Sequence, residues 1–191
     1  MSTLVILLRA LSLLAFAGPM LVGVSGCGRA RKSAAGESGG SRAPLLANVV
    51  AFGLFFPSLI IFGGSREGYL ALALALTGCL LAAAGVTIVV RSRVELGPAW
   101  SLLPKAGERT GLVTAGPYRL VRHPIYLGFS VLAMGEALAF NSWPAFLVLL
   151  SGIVPTFLWR ASAEEKLLSR AFGERYVLYQ KQTKMMIPHF L

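Results

Sequence analysis

The chain has 191 residues, of which 55% are hydrophobic and only 14% charged, and its formal net charge is +10. A soluble globular domain carries roughly a quarter charged residues, so this composition excludes one and describes an integral membrane protein. The basic residues lie in loops between apolar runs and the aromatics lie largely within the runs, which argues for orientation in a bilayer and against nucleic acid as a partner.

Five apolar runs predict an all-α protein of about five transmembrane helices: about residues 4–24 (interrupted by Arg9), 45–62, 69–90, 124–140 and 143–159. A spanning helix needs roughly 17 to 25 such residues. The first three runs meet that comfortably, and the last two sit at its lower edge. Between runs four and five only Asn141-Ser142 intervenes, with Trp143-Pro144 following, so these spans form a tight helical hairpin. A C-terminal helix follows run five. The chain divides into an N-terminal region, 1–90, with a flexible Gly/Ser/Arg-rich loop at about 27–43, and a region 91–191 that carries the motifs.

Arg29, Arg31, Lys32 and Arg42 populate the first loop. Arg91, Arg93, Lys105, Arg109, Arg119 and Arg122 populate the third, and Arg160, Lys166, Arg170, Arg175, Lys181 and Lys184 the tail. With five spans these segments share one side, which the positive-inside rule makes cytoplasmic, with the N-terminus outside. A rival reading exists for the first run. Val24-Ser25-Gly26-Cys27 resembles a bacterial lipoprotein cleavage box, which would make that run a removable signal. Against it, Arg9 is the only early charge. No Cys/His spacing predicts a metal. Glu136 is an acid inside a span, either a functional group or a hydrogen-bond partner for a neighbouring helix.

Polar chemistry gathers at the membrane boundary. Gly116-Pro117-Tyr118 precedes Arg122-His123-Pro124-x-Tyr126-x-Gly128, which opens the fourth run. Beyond the fifth run come Arg160, Glu164-Glu165 and Phe172-Gly173-x-x-Tyr176-x-x-Tyr179, and upstream stands Leu96-Gly97-x-x-Trp100-Ser101. Taken singly, His123 reads as a boundary residue, Pro124 as the opening of a helix, and Tyr126 as part of an aromatic belt. Arg160 reads as an end-of-span marker, and Glu164 and Glu165 as acids near the start of a terminal helix, favoured by its dipole.

Together these elements resemble the isoprenylcysteine carboxyl methyltransferase family and its phospholipid methyltransferase relatives, over about residues 95–190. The resemblance implies a membrane-embedded methyltransferase that uses S-adenosyl-L-methionine, bound on the cytoplasmic side. It implies cofactor contacts from His123, Pro124, Tyr126 and Glu164 or Glu165, with Gly116, Pro117 and Tyr118 shaping the adjoining wall. Arg160 is the candidate to grip an acceptor carboxylate bidentately, and Glu164 joins it as a catalytic candidate. The expected acceptor is a prenylcysteine-like or other lipophilic carboxylate entering from the bilayer, and the expected location is a bacterial inner membrane. A phospholipid amine or small thiol as acceptor, an NADPH-dependent reductase of the sterol-reductase type, and a non-catalytic lipid-binding protein are the alternatives.

Overall fold

Residues 3–14, 16, 43–64, 68–97 and 111–187, described by a computed structural model, fold almost wholly into helices. In chain order these are α1 (Thr3–Leu14), α2 (Ala43–Phe62), α3 (Tyr69–Leu96), a 3-10 turn (Gly116–Arg119), α4 (Pro124–Ala139), α5 (Trp143–Val148), a π-helical turn (Leu149–Ile153), α6 (Val154–Phe172) and α7 (Glu174–Gln182). Among the described residues the one extended pairing is an isolated parallel bridge between Val121 and Lys184.

Among the described residues three helices are long and apolar enough to cross a membrane: α2, α3 and the continuous helix Trp143–Phe172. Of the expected spans, the second, third and fifth are full-length apolar helices and the fourth, α4, is shorter; of the first, residues 3–14 and 16 are described, with α1 over Thr3–Leu14. At 1.5 Å per residue α4 is about 24 Å long, short of a hydrocarbon core of about 30 Å. The outward faces of the long helices carry Leu54, Ile60, Leu80 and Leu150, all well exposed, as lipid contact requires. The chain is an integral membrane protein.

Close approach of α3 and α4 follows from their small residues. A Cβ placed on Gly85 would meet the Leu132 nitrogen at 2.6 Å and the Gly128 oxygen at 2.7 Å, and one on Gly78 would meet the Gly135 oxygen at 2.5 Å. Backbone thus lies against backbone along the whole pair, the packing that membranes favour where no hydrophobic force separates helix from lipid. The α5–α6 helix packs instead on α2. Phe52, Phe55 and Leu59 of α2 meet Leu149, Ile153 and Phe157 in one buried cluster with Leu132 of α4. The two arms of the hairpin therefore have different main partners.

The hairpin itself turns at Asn141, which takes a left-handed φ of 49°. Ser142 then caps α5, accepting from the Ala145 amide at 3.4 Å and donating to the Ser58 carbonyl at 2.8 Å. The π-helical turn precedes Pro155, whose ring has no amide proton and would crowd the carbonyl four residues back. Widening by one residue keeps the helix continuous through the proline. This continuity corrects one expectation. Glu164 and Glu165 lie in the body of α6, not in the first turn of a separate terminal helix, so a helix N-terminal dipole does not account for them. The terminal helix, α7, starts only after Gly173, whose φ of 55° turns the chain.

Arg9 crosses from α1 to donate to the Ala139 carbonyl and the Gly64 carbonyl, each at 2.9 Å. Ser12 donates to Glu136 Oε2 at 3.0 Å. Of the two readings of Glu136, the structure shows the hydrogen bond to a neighbouring helix. Cys27, the linker around it, and Trp100-Ser101 lie outside the described residues.

Candidate active site

Three segments converge at the end of the bundle where α4 begins: the turn before α4, the outer half of α6, and the chain after α7. Pro124 starts α4 where its missing amide proton costs nothing. This fixes His123 at the N-cap, its carbonyl accepting from the amides of Tyr126 at 3.1 Å and Leu127 at 3.2 Å. His123 and Tyr126 are then stacked, ring centroids 5.5 Å apart and 8° from parallel, and Tyr126 stacks in turn on Phe157 of α6 at 4.9 Å. The ladder of rings runs from the polar edge into the apolar core.

Against this ladder α6 presents Arg160, Glu164 and Glu165. The Tyr126 hydroxyl donates to Glu164 Oε1. Arg160 Nε donates to the same oxygen at 3.2 Å, and its guanidinium lies 5.6 Å from the Tyr126 ring centre. The spacing of 160 and 164 is one helical turn, so the pair shares a face. His123 Nδ1 stands 3.7 Å from Glu164 Oε2, and its Nε2 stands 3.4 Å from Glu165 Oε1. His123 Nε2 is buried and forms no aligned hydrogen bond among the described residues. Glu165 is held by Arg122 Nε at 2.6 Å and by Gln180 Nε2 at 3.0 Å.

The sequence-derived site residues thus separate into two groups. His123, Tyr126, Arg160, Glu164 and Glu165 come together as one network, with Pro124 buried at its base. Gly116 and Pro117 lie in the 3-10 turn against the end of α3, where a Cβ on Gly116 would meet Glu95 Oε2 at 3.0 Å. Tyr118 links the two groups. It is buried, its carbonyl accepts from the Tyr179 hydroxyl at 2.6 Å, and burial first, then the Tyr179 and Glu164 charges, push its phenol well above the ordinary value. Sequence reasoning gave no role to Arg122, Gln180 or Thr183. Arg122 stood inside the motif, which was signal enough to single it out. Gln180 and Thr183 carried no local signal at all.

An α-helical membrane protein with a network of buried and half-buried ion pairs at one end of its helices is the class that fold and site define. The phospholipid methyltransferase family model matches residues 73–175, just over half of the chain, and the chain belongs to that family. Its relatives agree with the resemblance read from the motifs. The chain is 28% identical to protein-S-isoprenylcysteine O-methyltransferase A of Arabidopsis thaliana, over 70% of this chain and 68% of that protein. It is 30% identical to the Saccharomyces cerevisiae protein-S-isoprenylcysteine O-methyltransferase, over 70% of this chain and 55% of that one. With the Schizosaccharomyces pombe enzyme of the same name it shares 35% identity over 40% of this chain and 33% of that protein. The match thus spans from a third to about two thirds of these relatives' length. Among solved structures, a eukaryotic intramembrane Ras methyltransferase, isoprenylcysteine carboxyl methyltransferase, aligns with a TM-score of 0.48 at 23% identity, over 78% of this chain and 53% of that one.

Proposed function

We propose that this protein is an integral membrane methyltransferase that transfers the methyl group of S-adenosyl-L-methionine to the carboxylate of a prenylcysteine-like, lipophilic acceptor. The observation that carries this reading is the network of His123, Tyr126, Arg160, Glu164 and Glu165 at the end of an apolar bundle. The family and the names of its relatives point the same way.

The residues fit the donor. Its amino-acid end carries both signs of charge, so its site needs donors and acceptors side by side. The network offers two carboxylates, a guanidinium, a phenol and an imidazole, and His123 Nε2 is a buried polar atom with no aligned hydrogen bond to satisfy it. When bound, the donor supplies a sulfonium-activated methyl group. The rest falls to the chain. Glu164 provides negative charge toward a cation, and Tyr126 and His123 fix its orientation through the stacked ladder. Arg160 is the group for an acceptor carboxylate, since a guanidinium grips one through two parallel bonds. An anionic carboxylate is already a nucleophile, so positioning near the reacting methyl and exclusion of water matter more than proton transfer. Gly116, Pro117 and Tyr118 would act as the adjoining wall.

Basic residues concentrate on the side of the bundle that carries this network, which by the positive-inside rule faces the cytoplasm. A water-soluble donor then enters from the cytoplasm and the lipophilic acceptor from the bilayer. The relatives named above are eukaryotic, so a bacterial inner membrane rests on the Val24–Cys27 box alone.

Labelled S-adenosyl-L-methionine, offered with a farnesylcysteine analogue, a simple thiol and a phosphatidylethanolamine, tests the reading. Label is expected in the farnesylcysteine carboxylate. Calorimetric binding in detergent should favour S-adenosylhomocysteine over NADPH, and the opposite preference overturns the proposal in favour of a reductase.

A further inference from the structure

Glu164 and Glu165 are adjacent, yet their surroundings differ in kind. Glu164 meets the Tyr126 hydroxyl and Arg160, the groups assigned above to the ligands, and 20% of its side chain remains accessible. The Glu165 side chain is 11% accessible, and each of its oxygens already has a partner inside the protein. Arg122 Nε donates to Oε1 at 2.6 Å, and Gln180 Nε2 donates to Oε2 at 3.0 Å.

Arg122 does more than neutralise that carboxylate. Its Nη1 donates to the carbonyls of Gln180 (3.3 Å) and Thr183. Its own amide donates to the Lys184 carbonyl at 2.8 Å, and the His123 amide donates to the Met185 carbonyl at 2.9 Å. The segment after α7 is thereby pinned, residue by residue, along the turn that carries His123. Met186 is 2% exposed and joins the core cluster that includes Phe157. Tyr179 adds its bond to the Tyr118 carbonyl, fixing α7 to the same turn.

We propose that Arg122, Glu165 and Gln180 form a clamp that holds residues 183–185 as a wall of the site and orients His123, so that Glu165 is a positioning residue and Glu164 alone of the two carboxylates meets the ligands. The division of roles rests on the methyltransferase reading. The clamp itself rests on the hydrogen bonds. Both Glu165 oxygens are engaged by groups of the fold, one through a charge-assisted bond, and its side chain is about half as accessible as that of Glu164, so its charge serves the fold first.

The test uses the full chain in detergent with two readouts: tryptic cleavage after Lys184, which reports opening of the segment, and calorimetric binding of S-adenosylhomocysteine. Arg122→Ala, Glu165→Gln and Gln180→Leu should each speed cleavage by about tenfold or more, since opening free energy sets the cut rate. Arg122→Lys should restore little, because it keeps the charge and loses the forked geometry. Glu164→Gln should weaken binding while leaving cleavage at the wild-type rate. Should Arg122→Ala fail to fold, Glu165→Gln and Gln180→Leu carry the test. Wild-type cleavage rates in those variants, or equal acceleration by Glu164→Gln, overturn the clamp. A wild-type protein that binds no S-adenosylhomocysteine overturns the donor reading and the role given to Glu164, while the cleavage rates still judge the clamp.

Discussion

Arg160 gathers the most functional weight in the fewest atoms. Its Nε bond to Glu164 and its place over the Tyr126 ring hold the guanidinium in a fixed plane, which a bidentate grip on a carboxylate needs. Lysine at this position keeps the positive charge and abolishes the planar fork. For Arg160→Lys we expect the acceptor KM to rise by about tenfold or more while the affinity for S-adenosylhomocysteine moves by less than about threefold. Steady-state kinetics with the farnesylcysteine analogue, alongside calorimetry, separates the two. Equal losses in both would assign Arg160 to the donor instead. His123, Tyr126 and Glu164 stood in ordered motif elements and Arg160 just outside them, so the side chains that the fold brings together could be picked out one by one in the sequence. What the motif did not convey was which carboxylate does what, since adjacent residues on a helix point about 100° apart and only the folded neighbours tell them apart.

Among the elements, the α3–α4 pair fixes where His123 and Tyr126 stand, because α4 begins at the site and has few other close partners. Its glycines leave no room: the atoms that a Cβ on Gly85 would strike are the Leu132 nitrogen and the Gly128 oxygen, and backbone cannot rotate aside. Gly85→Ala should therefore destabilise the fold by about 1–3 kcal/mol, read as a lower midpoint in thermal or detergent unfolding. Activity should fall beyond that loss as the start of α4 shifts. At the other side of the site, α7 is docked through neutral phenols. Burial pushes Tyr179 up to about 12 from an ordinary 10, against the lowering effect of Arg122 and of its hydrogen bond with Thr183. Because the folded state keeps this proton when the unfolded chain has lost it, stability falls as pH rises from 10 to 12 and is unaffected below. Alkaline titration of the tyrosine absorbance should show one group ionising near pH 12 that Tyr179→Phe removes. The apolar spans and the hairpin were legible from run length and from Trp143-Pro144 after a two-residue gap. The continuation of α6 past residue 159 to Phe172 was not, because Arg160 and the acids interrupt the apolar pattern at the membrane boundary while the backbone continues through them.

Across the whole molecule, polar groups sit at both ends of the bundle, and they do different work. At the end away from the site, Arg9 satisfies the Ala139 and Gly64 carbonyls near the turn between α4 and α5, and Ser12 ties α1 to Glu136. These are bonds that hold helix ends together where water is scarce. At the other end the charges form the network around Glu164, with Arg122 brought to it by the fold and Lys166, Arg170, Arg175, Lys181 and Lys184 following it in the chain. Sequence patterning made this asymmetry visible from loop charges alone, whereas the long-range pairing of residues 121–123 with 184–185 carried no period or composition to reveal it. The asymmetry carries a test of orientation. In a background with Cys27 and Cys79 replaced by serine, Asn141→Cys and Lys181→Cys each place one thiol at an opposite end of the bundle. An impermeant maleimide added to intact cells or sealed right-side-out vesicles should label Asn141→Cys and spare Lys181→Cys, and permeabilisation should make Lys181→Cys reactive. The reverse pattern would put the network outside the cytoplasm, away from a cytosolic donor, and with it would fall the proposal that donor and acceptor reach the site from different phases.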